Sequence, residues 1–274
     1  MSKRFLTCVF AIAACLAAAP QTAEAQYSVP RTSQRSVGET YWVEVMGGFW
    51  NPTPQGLIQS EQFGISGSEI DFVDDLGYEK KQFADFRAVL HPARKHKLRV
   101  QYVPVSYDSE TVFQRSVVFN GVRYDVGLPV TTRFAWKVWR FAYEWDFVSR
   151  EKFFVGLILE AKYTQIEAEL NSPVHAQPEF TSAKGPIPAL GGIVRYYVIP
   201  NAAVTFELSG IKTPLIDDKY EAKYIDWDLY GTYNITNNVG VTAGYRVMDV
   251  MFLADRDGGE MTLKGLYFGG IARF

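Results

Sequence analysis

The chain has 274 residues, 15% of them aromatic, with 28 Lys+Arg against 30 Asp+Glu and a net charge of −2. That balance excludes the basic excess of a nucleic-acid-binding surface. Its two cysteines, Cys8 and Cys15, both lie near the start, so chemistry that needs thiols has to be sought there or nowhere.

Lys3 and Arg4 precede an uncharged run from Phe5 to Ala19, then Pro20 and the small-residue site Ala23-Glu24-Ala25. A basic start, an apolar middle and an A-x-A end read as a secretory signal, residues 1–25, cleaved after Ala25. The run is too short for a comfortable transmembrane helix, which needs about 20 residues. Ile12-Ala13-Ala14-Cys15 also loosely fits a lipoprotein cleavage site. Cleavage after Ala25 leaves a mature chain without a thiol, hence without disulfides, thiolate metal sites or a cysteine nucleophile. Residues 26–39 are polar and read as a flexible lead-in to a domain over 40–274.

From there the sequence alternates. Tyr41, Val43, Val45, Gly47 and Phe49 share one face of a first strand, which Asn51-Pro52-Thr53-Pro54 is expected to end, since proline donates no ladder bond. A long polar stretch, 55–81, contains Glu69 to Gly77, a short helical or plug-like piece. Ala84, Phe86, Ala88 and Leu90 form the second set and Leu98, Val100, Tyr102 and Pro104 the third, where Pro104 predicts a bulge or an early end. The excursion 108–129 holds Asn120-Gly121 between two short β patterns, a hairpin signal and so a two-stranded flap. The fourth to sixth sets run Trp139 to Phe147, Val155 to Tyr163 and Leu190 to Val198, with 171–186 a polar loop. The seventh to ninth run Val204 to Gly210, Ile225 to Tyr233 and Val239 to Val247, and 212–221 is a charged loop. Leu266, Phe268, Gly270, Ala272 and Phe274 are the tenth.

None of the residues on these faces is charged, whereas the opposite parity collects Arg, Lys, Asp and Glu in nearly every segment. A soluble sandwich would show the reverse. Connections alternate long and short, and aromatics gather at both ends: Tyr41, Phe147, Tyr196, Tyr233 and Phe274 by the short turns, Phe49, Tyr102, Trp139 and Tyr245 by the long loops. Strands in lipid must close on themselves. The pattern predicts an all-β, antiparallel up-and-down transmembrane barrel of ten strands, with eight or twelve as alternatives.

The terminal strand, ending on Phe268 and Phe274, resembles the C-terminal strand of the bacterial outer-membrane β-barrel superfamily. Leu98 to Tyr107 and Phe119-Asn120-Gly121 resemble segments of small proteobacterial members. The resemblance implies the outer membrane of a Gram-negative cell, with lipid and lipopolysaccharide as surroundings. It also implies the barrel-assembly machinery as a partner through Phe268 and Phe274. It implies no reaction, because one barrel shape hosts unrelated functions.

The inward charges are Arg87, Arg99, Arg140, Lys162, Arg195 and Arg246 against Glu44, Asp85, Glu144, Glu160, Glu207, Asp226 and Asp228. Near balance predicts a lumen of paired side chains; an ion path would favour one sign. His91 and His96 fall at a periplasmic turn. His175 falls in an outer loop, where Glu179, Asp217-Asp218, Ser172 or Ser182 could accompany it in hydrolysis. The acidic and histidine pattern of the ten-strand omptin proteases is not matched. Asp71, Asp74 and Asp75 lack calcium-loop spacing. No catalytic residue, metal or cofactor is therefore expected. The expected role is structural or surface-interacting through long extracellular loops, with a narrow pore and then a lipid-modifying or proteolytic enzyme as alternatives. In outer-membrane fractions the protein should resist SDS cold and shift mobility when boiled; a single mobility under both conditions argues against a barrel.

Overall fold

The computed structural model describes residues 39–59, 67–119, 121–173, 179–213, 220–254 and 257–274. The expected signal and most of the lead-in, residues 1–38, lie outside these. The strands are β1 (Val43–Gln59), β2 (Ile70–Asp71), β3 (Phe83–Ala93), β4 (His96–Val112), β5 (Val117–Phe119), β6 (Val122–Tyr124), β7 (Pro129–Ser149), β8 (Phe153–Asn171), β9 (Glu179–Ile199), β10 (Ala202–Lys212), β11 (Tyr220–Asn234), β12 (Val239–Ala254) and β13 (Asp257–Arg273).

β1, β3, β4 and β7 to β13 pair antiparallel in that order, and β13 returns to β1, so ten strands close a barrel. The closing register runs from Glu44↔Arg273 to Gln59↔Gly258. Alternation sets the two faces. On β7, Trp139, Phe141, Tyr143, Trp145 and Phe147 are exposed, while Arg140 and Glu144 between them are buried. The same split recurs on the other barrel strands, giving an apolar belt outside and an ionic interior.

A concavity of about 790 Å³ lies on that outer face, where Gly47, Gly231, Ala243 and Gly270 thin the belt. It belongs to the lipid-facing surface and not to the lumen.

Several local expectations need correction. Tyr41 precedes β1 and turns inward against His91, with ring centroids 5.2 Å apart, while Trp42 takes the outer girdle position at 72% exposure. β1 does not end at Pro52 and Pro54, which pair in register with Gly265 and Leu263. β4 runs through Pro104 without a bulge, paired to Lys137. Both exceptions have one cause. β1 pairs with β3 only as far as Trp50↔Phe83, and β4 with β3 only as far as Phe86↔Tyr102. Beyond those points each proline's missing N–H falls on a side where no strand waits. Within the expected loop 171–186, residues 179–186 are strand, since β9 begins at Glu179 and pairs with β8 from Leu170↔Glu179 onward.

The flap exists but is not free-standing. β5 and β6 pair from Val117↔Tyr124 to Phe119↔Val122, and Gly121 takes a φ of 78° at the turn; Asn120 lies outside the described residues. Val117, Phe119 and Tyr124 are buried.

The closing seam is tight. Trp50 Nε1 donates to the Gly265 carbonyl at 3.2 Å, and a Cβ on Gly265 would be driven into the Asn51 carbonyl oxygen. Gly270, on the outer face, has open space. Gly265→Val should therefore lose the cold, SDS-resistant form, while Gly270→Val keeps it. Equal behaviour of the two would refute this account of the seam.

Candidate functional site

The interior divides into two zones by composition. In the lower zone every barrel strand places a charged side chain in the lumen. Lys162 contacts Asp226, and Arg140 reaches Glu160 at 2.5 Å and Asp226 at 3.3 Å. Gln101 links Arg140 at 3.2 Å to Asp85 at 2.6 Å. Asp85 holds Arg246 at 2.9 Å, and Arg246 holds Asp228 at 3.0 Å. Arg87 lies between Asp228 at 3.4 Å and Glu207 at 3.7 Å. Arg99 bridges Glu207 at 2.7 Å and Glu144 at 2.9 Å. Arg195 reaches Tyr230, whose hydroxyl donates to Glu207. At the seam, Glu44 accepts from Arg273 at 2.6 Å.

All the sequence-named charges thus meet in one connected web, apart from Glu44, which pairs beside it. Four members were missed. Lys97 bridges Glu144 at 2.6 Å and Asp146 at 2.9 Å. Arg273 pairs with Glu44, and Glu39 holds Arg195 at 2.9 Å. Lys97, Asp146 and Arg273 share parity with residues already placed inward, so alternation could have found them. Glu39 precedes the first strand and carries no periodic signal. Its burial would raise its carboxyl pKa, but Arg195, Lys97 and a Tyr197 hydrogen bond hold it below the usual value.

The upper zone is apolar. Trp50, Tyr107, Trp136 and Leu263 point inward from the wall, and Phe72, Leu76, Phe113, Phe119 and Tyr124 pack onto them from the cap. The cap is a turn following β2 and the β5–β6 hairpin. Asp71 Oδ1 accepts the amides of Val73 at 2.7 Å and Asp74 at 2.8 Å, closing the turn. Ser68 N donates to the Val118 carbonyl at 2.8 Å, joining turn to hairpin. Arg115 bonds Asp75 at 2.6 Å and the Glu69 carbonyl. Partial burial pushes the Asp75 carboxyl up, yet Arg115 and the Asp71 amide more than offset it and keep it below its ordinary value. The acidic run is therefore spent on turn amides and an arginine.

Among the described residues, the other candidates do not converge. His96 Nδ1 lies 2.5 Å from the Tyr143 hydroxyl, and His91 sits against Tyr41. Ser172 is buried and donates to the Pro129 carbonyl at 3.3 Å; Ser182 is exposed. His175, Asp217, Asp218 and the Glu179 side chain fall outside the described residues. Four small cavities among the lumen and cap residues are about 10 to 20 Å³, room for about one water each. Chemically, the lumen's arrangement is one of mutual neutralisation.

No family model and no curated protein matches the chain. Similar solved structures include the outer membrane protease OmpT from Escherichia coli, at 10% identity over 84% of this chain and 97% of that one, TM-score 0.48. Ail, the attachment invasion locus protein of Yersinia pestis, matches at 10% identity over 85% and 97%, TM-score 0.35. The Pseudomonas putida toluene transporter TodX matches at 7% identity over 91% and 95%, TM-score 0.35. The closed ring of ten strands, apolar on its outer face and ionic within, is the architecture of a transmembrane antiparallel β-barrel.

Proposed function

We propose that this barrel is a sealed, non-catalytic surface protein whose elongated extracellular strands and cap serve interaction rather than transport. One observation carries the reading: the ion web reaches across the lumen from eight of the ten barrel strands, a separate pair joins the other two, and the aromatic cap fills what lies above. A conducting path needs continuous water, and the four small cavities between these side chains hold about one molecule each.

Outward charges support the orientation. On β7, β9, β10, β11 and β13, the first charged outward residue above the apolar belt is a lysine, Lys137, Lys184, Lys212, Lys223 and Lys264, against Asp108, Glu167 and Asp249 on β4, β8 and β12, the last paired with Lys223. Cations at that height suit the phosphates of the outer leaflet, so lipopolysaccharide is the proposed lipid partner. Phe268 and Phe274 remain exposed on the closing strand, where the assembly machinery would read them.

In planar bilayers the protein should give no conductance steps; steady openings of the unmodified protein would overturn the sealed-lumen reading. Glu207→Ala would strip Arg99 and Arg87 of a shared carboxylate inside a closed lumen. It should cost about 3–5 kcal/mol, seen as a lower urea midpoint of refolded protein. Combining Arg99→Met with Glu207→Leu should recover most of the loss. If Glu207→Ala unfolds at the parent midpoint, the web is not what holds the lumen.

A further inference from the structure

The barrel wall has a notch above the membrane. β3 begins at Phe83, while β1 continues to Gln59 and β4 to Val112. Past Phe86↔Tyr102, β7 is the only strand paired to β4 among the described residues, in unbroken register from Val103↔Val138 to Val112↔Pro129. Which backbone groups face the notch follows from Pro104. It sits in an intact ladder to β7, so its nitrogen points the other way. Strand geometry repeats every second residue, so Ser106, Asp108 and Glu110 aim their N–H and C=O groups at the notch.

Neighbouring bonds agree. Phe113 N, of the opposite parity, donates to the Leu128 carbonyl on the β7 side at 3.4 Å. The Ser109 carbonyl, also of that parity, accepts from Thr132 of β7 at 3.5 Å. Among the described residues no backbone bond reaches Ser106, Asp108 or Glu110 from the notch side. The facing edge of β1 is blunted, since Pro52 and Pro54 have no N–H and the Gly56 carbonyl already accepts Phe72 N at 3.0 Å.

We propose that this edge of β4 binds an extended peptide segment by strand addition, deepening the surface-interaction reading above. An unpaired edge is a template for another chain's backbone. The side chains select its composition. Ser106, Asp108 and Glu110 point outward; Asp108 is shared between Lys81 at 3.3 Å and Arg133 of β7 at 3.7 Å, so the added strand's outer face should carry Lys or Arg opposite Glu110, and opposite Asp108 in place of Lys81. Val105 and Tyr107 point inward beside Phe83 and Tyr78, so its inner face should be apolar. The preferred ligand alternates apolar and basic residues. The exposed segment Glu79–Gln82 runs past the notch without strand pairing, tethered by Lys81 to Asp108 at 3.3 Å, and the incoming strand displaces that tether.

The test uses refolded full-length protein, a nonapeptide of alternating Val and Lys, and the same peptide N-methylated at alternate amides. In free protein, amides of Ser106, Asp108 and Glu110 should exchange at least a hundredfold faster than those of Val105, Tyr107 and Ser109. The plain peptide should slow them at least tenfold. Binding should weaken at least tenfold for the methylated peptide and for Glu110→Pro, whose folding is checked by its heat-shifted mobility. Three results overturn the proposal: amides already protected without peptide, which places the chain's own Glu79–Gln82 in the notch; equal binding of the methylated peptide, which leaves charge alone; or no binding. None of these touches the sealed lumen, which conductance tests separately.

Discussion

Everything in this molecule depends on β1 meeting β13. Within hydrocarbon no water is present to satisfy a backbone group, so a sheet with an edge cannot exist there. The meeting is secured at several levels. Trp42 N and Val43 N both donate to the Phe274 carbonyl, at 2.8 and 3.1 Å, and Phe274 N returns a bond to Val43 at 2.9 Å. Arg273 and Glu44 pair across the seam inside, and the Phe49 and Phe268 rings lie 6.0 Å apart outside. Backbone, charge and aromatic contact thus specify the same register.

Closure creates an interior that has to be filled, and the filling in turn fixes the closure. A one-residue slip of any strand would move its lumen charges into the acyl chains and its aromatics into the lumen. Because the web draws on β3, β4 and β7 to β12, and a separate pair joins β1 to β13, such a slip would also leave partners on neighbouring strands unpaired, a large penalty for buried ions. The ion pairs are therefore better understood as devices that select one register than as a net source of stability. The apolar upper zone works differently. Its contacts are non-directional, and its specificity comes from the hydrogen bonds that tie turn to hairpin around Ser68 and Val118.

How much of this the sequence makes legible follows from where the solvent contrast lies. Within the belt, lipid on one side and ions on the other force a strict alternation, and the outward faces from Val45 to Phe274 can be read residue by residue. Above the belt both faces meet polar surroundings. Gln165, Glu167 and Glu169 on β8 alternate with Ile166, Ala168 and Leu170 facing the interior, yet a polar stretch with modest apolar residues reads as loop. That is why 179–186 is mistaken for part of a connection and why the strands are longer than expected. The prolines mislead for a related reason: the rule that proline ends a strand assumes neighbours on both sides, and the shortness of β3 is a non-local fact. The burial of Val117, Phe119 and Tyr124 is equally non-local, since it depends on contact with the turn near Phe72.

The same contrast explains where the wall is allowed to be imperfect. Inside the bilayer each barrel strand pairs on both sides, and β3 and β4 part company only after Tyr102, whose ring stacks on Trp139 at the upper edge of the belt. Beyond that height an unpaired amide can be hydrated, so a missing neighbour costs little there and would be prohibitive one turn of pleat lower. The membrane thus sets a boundary within the chain itself. Below it, structure is dictated by closure and charge pairing and leaves little room for individuality. Above it, strand length, edge and cap are released from that constraint, and this is where a barrel with a filled lumen can acquire a property of its own.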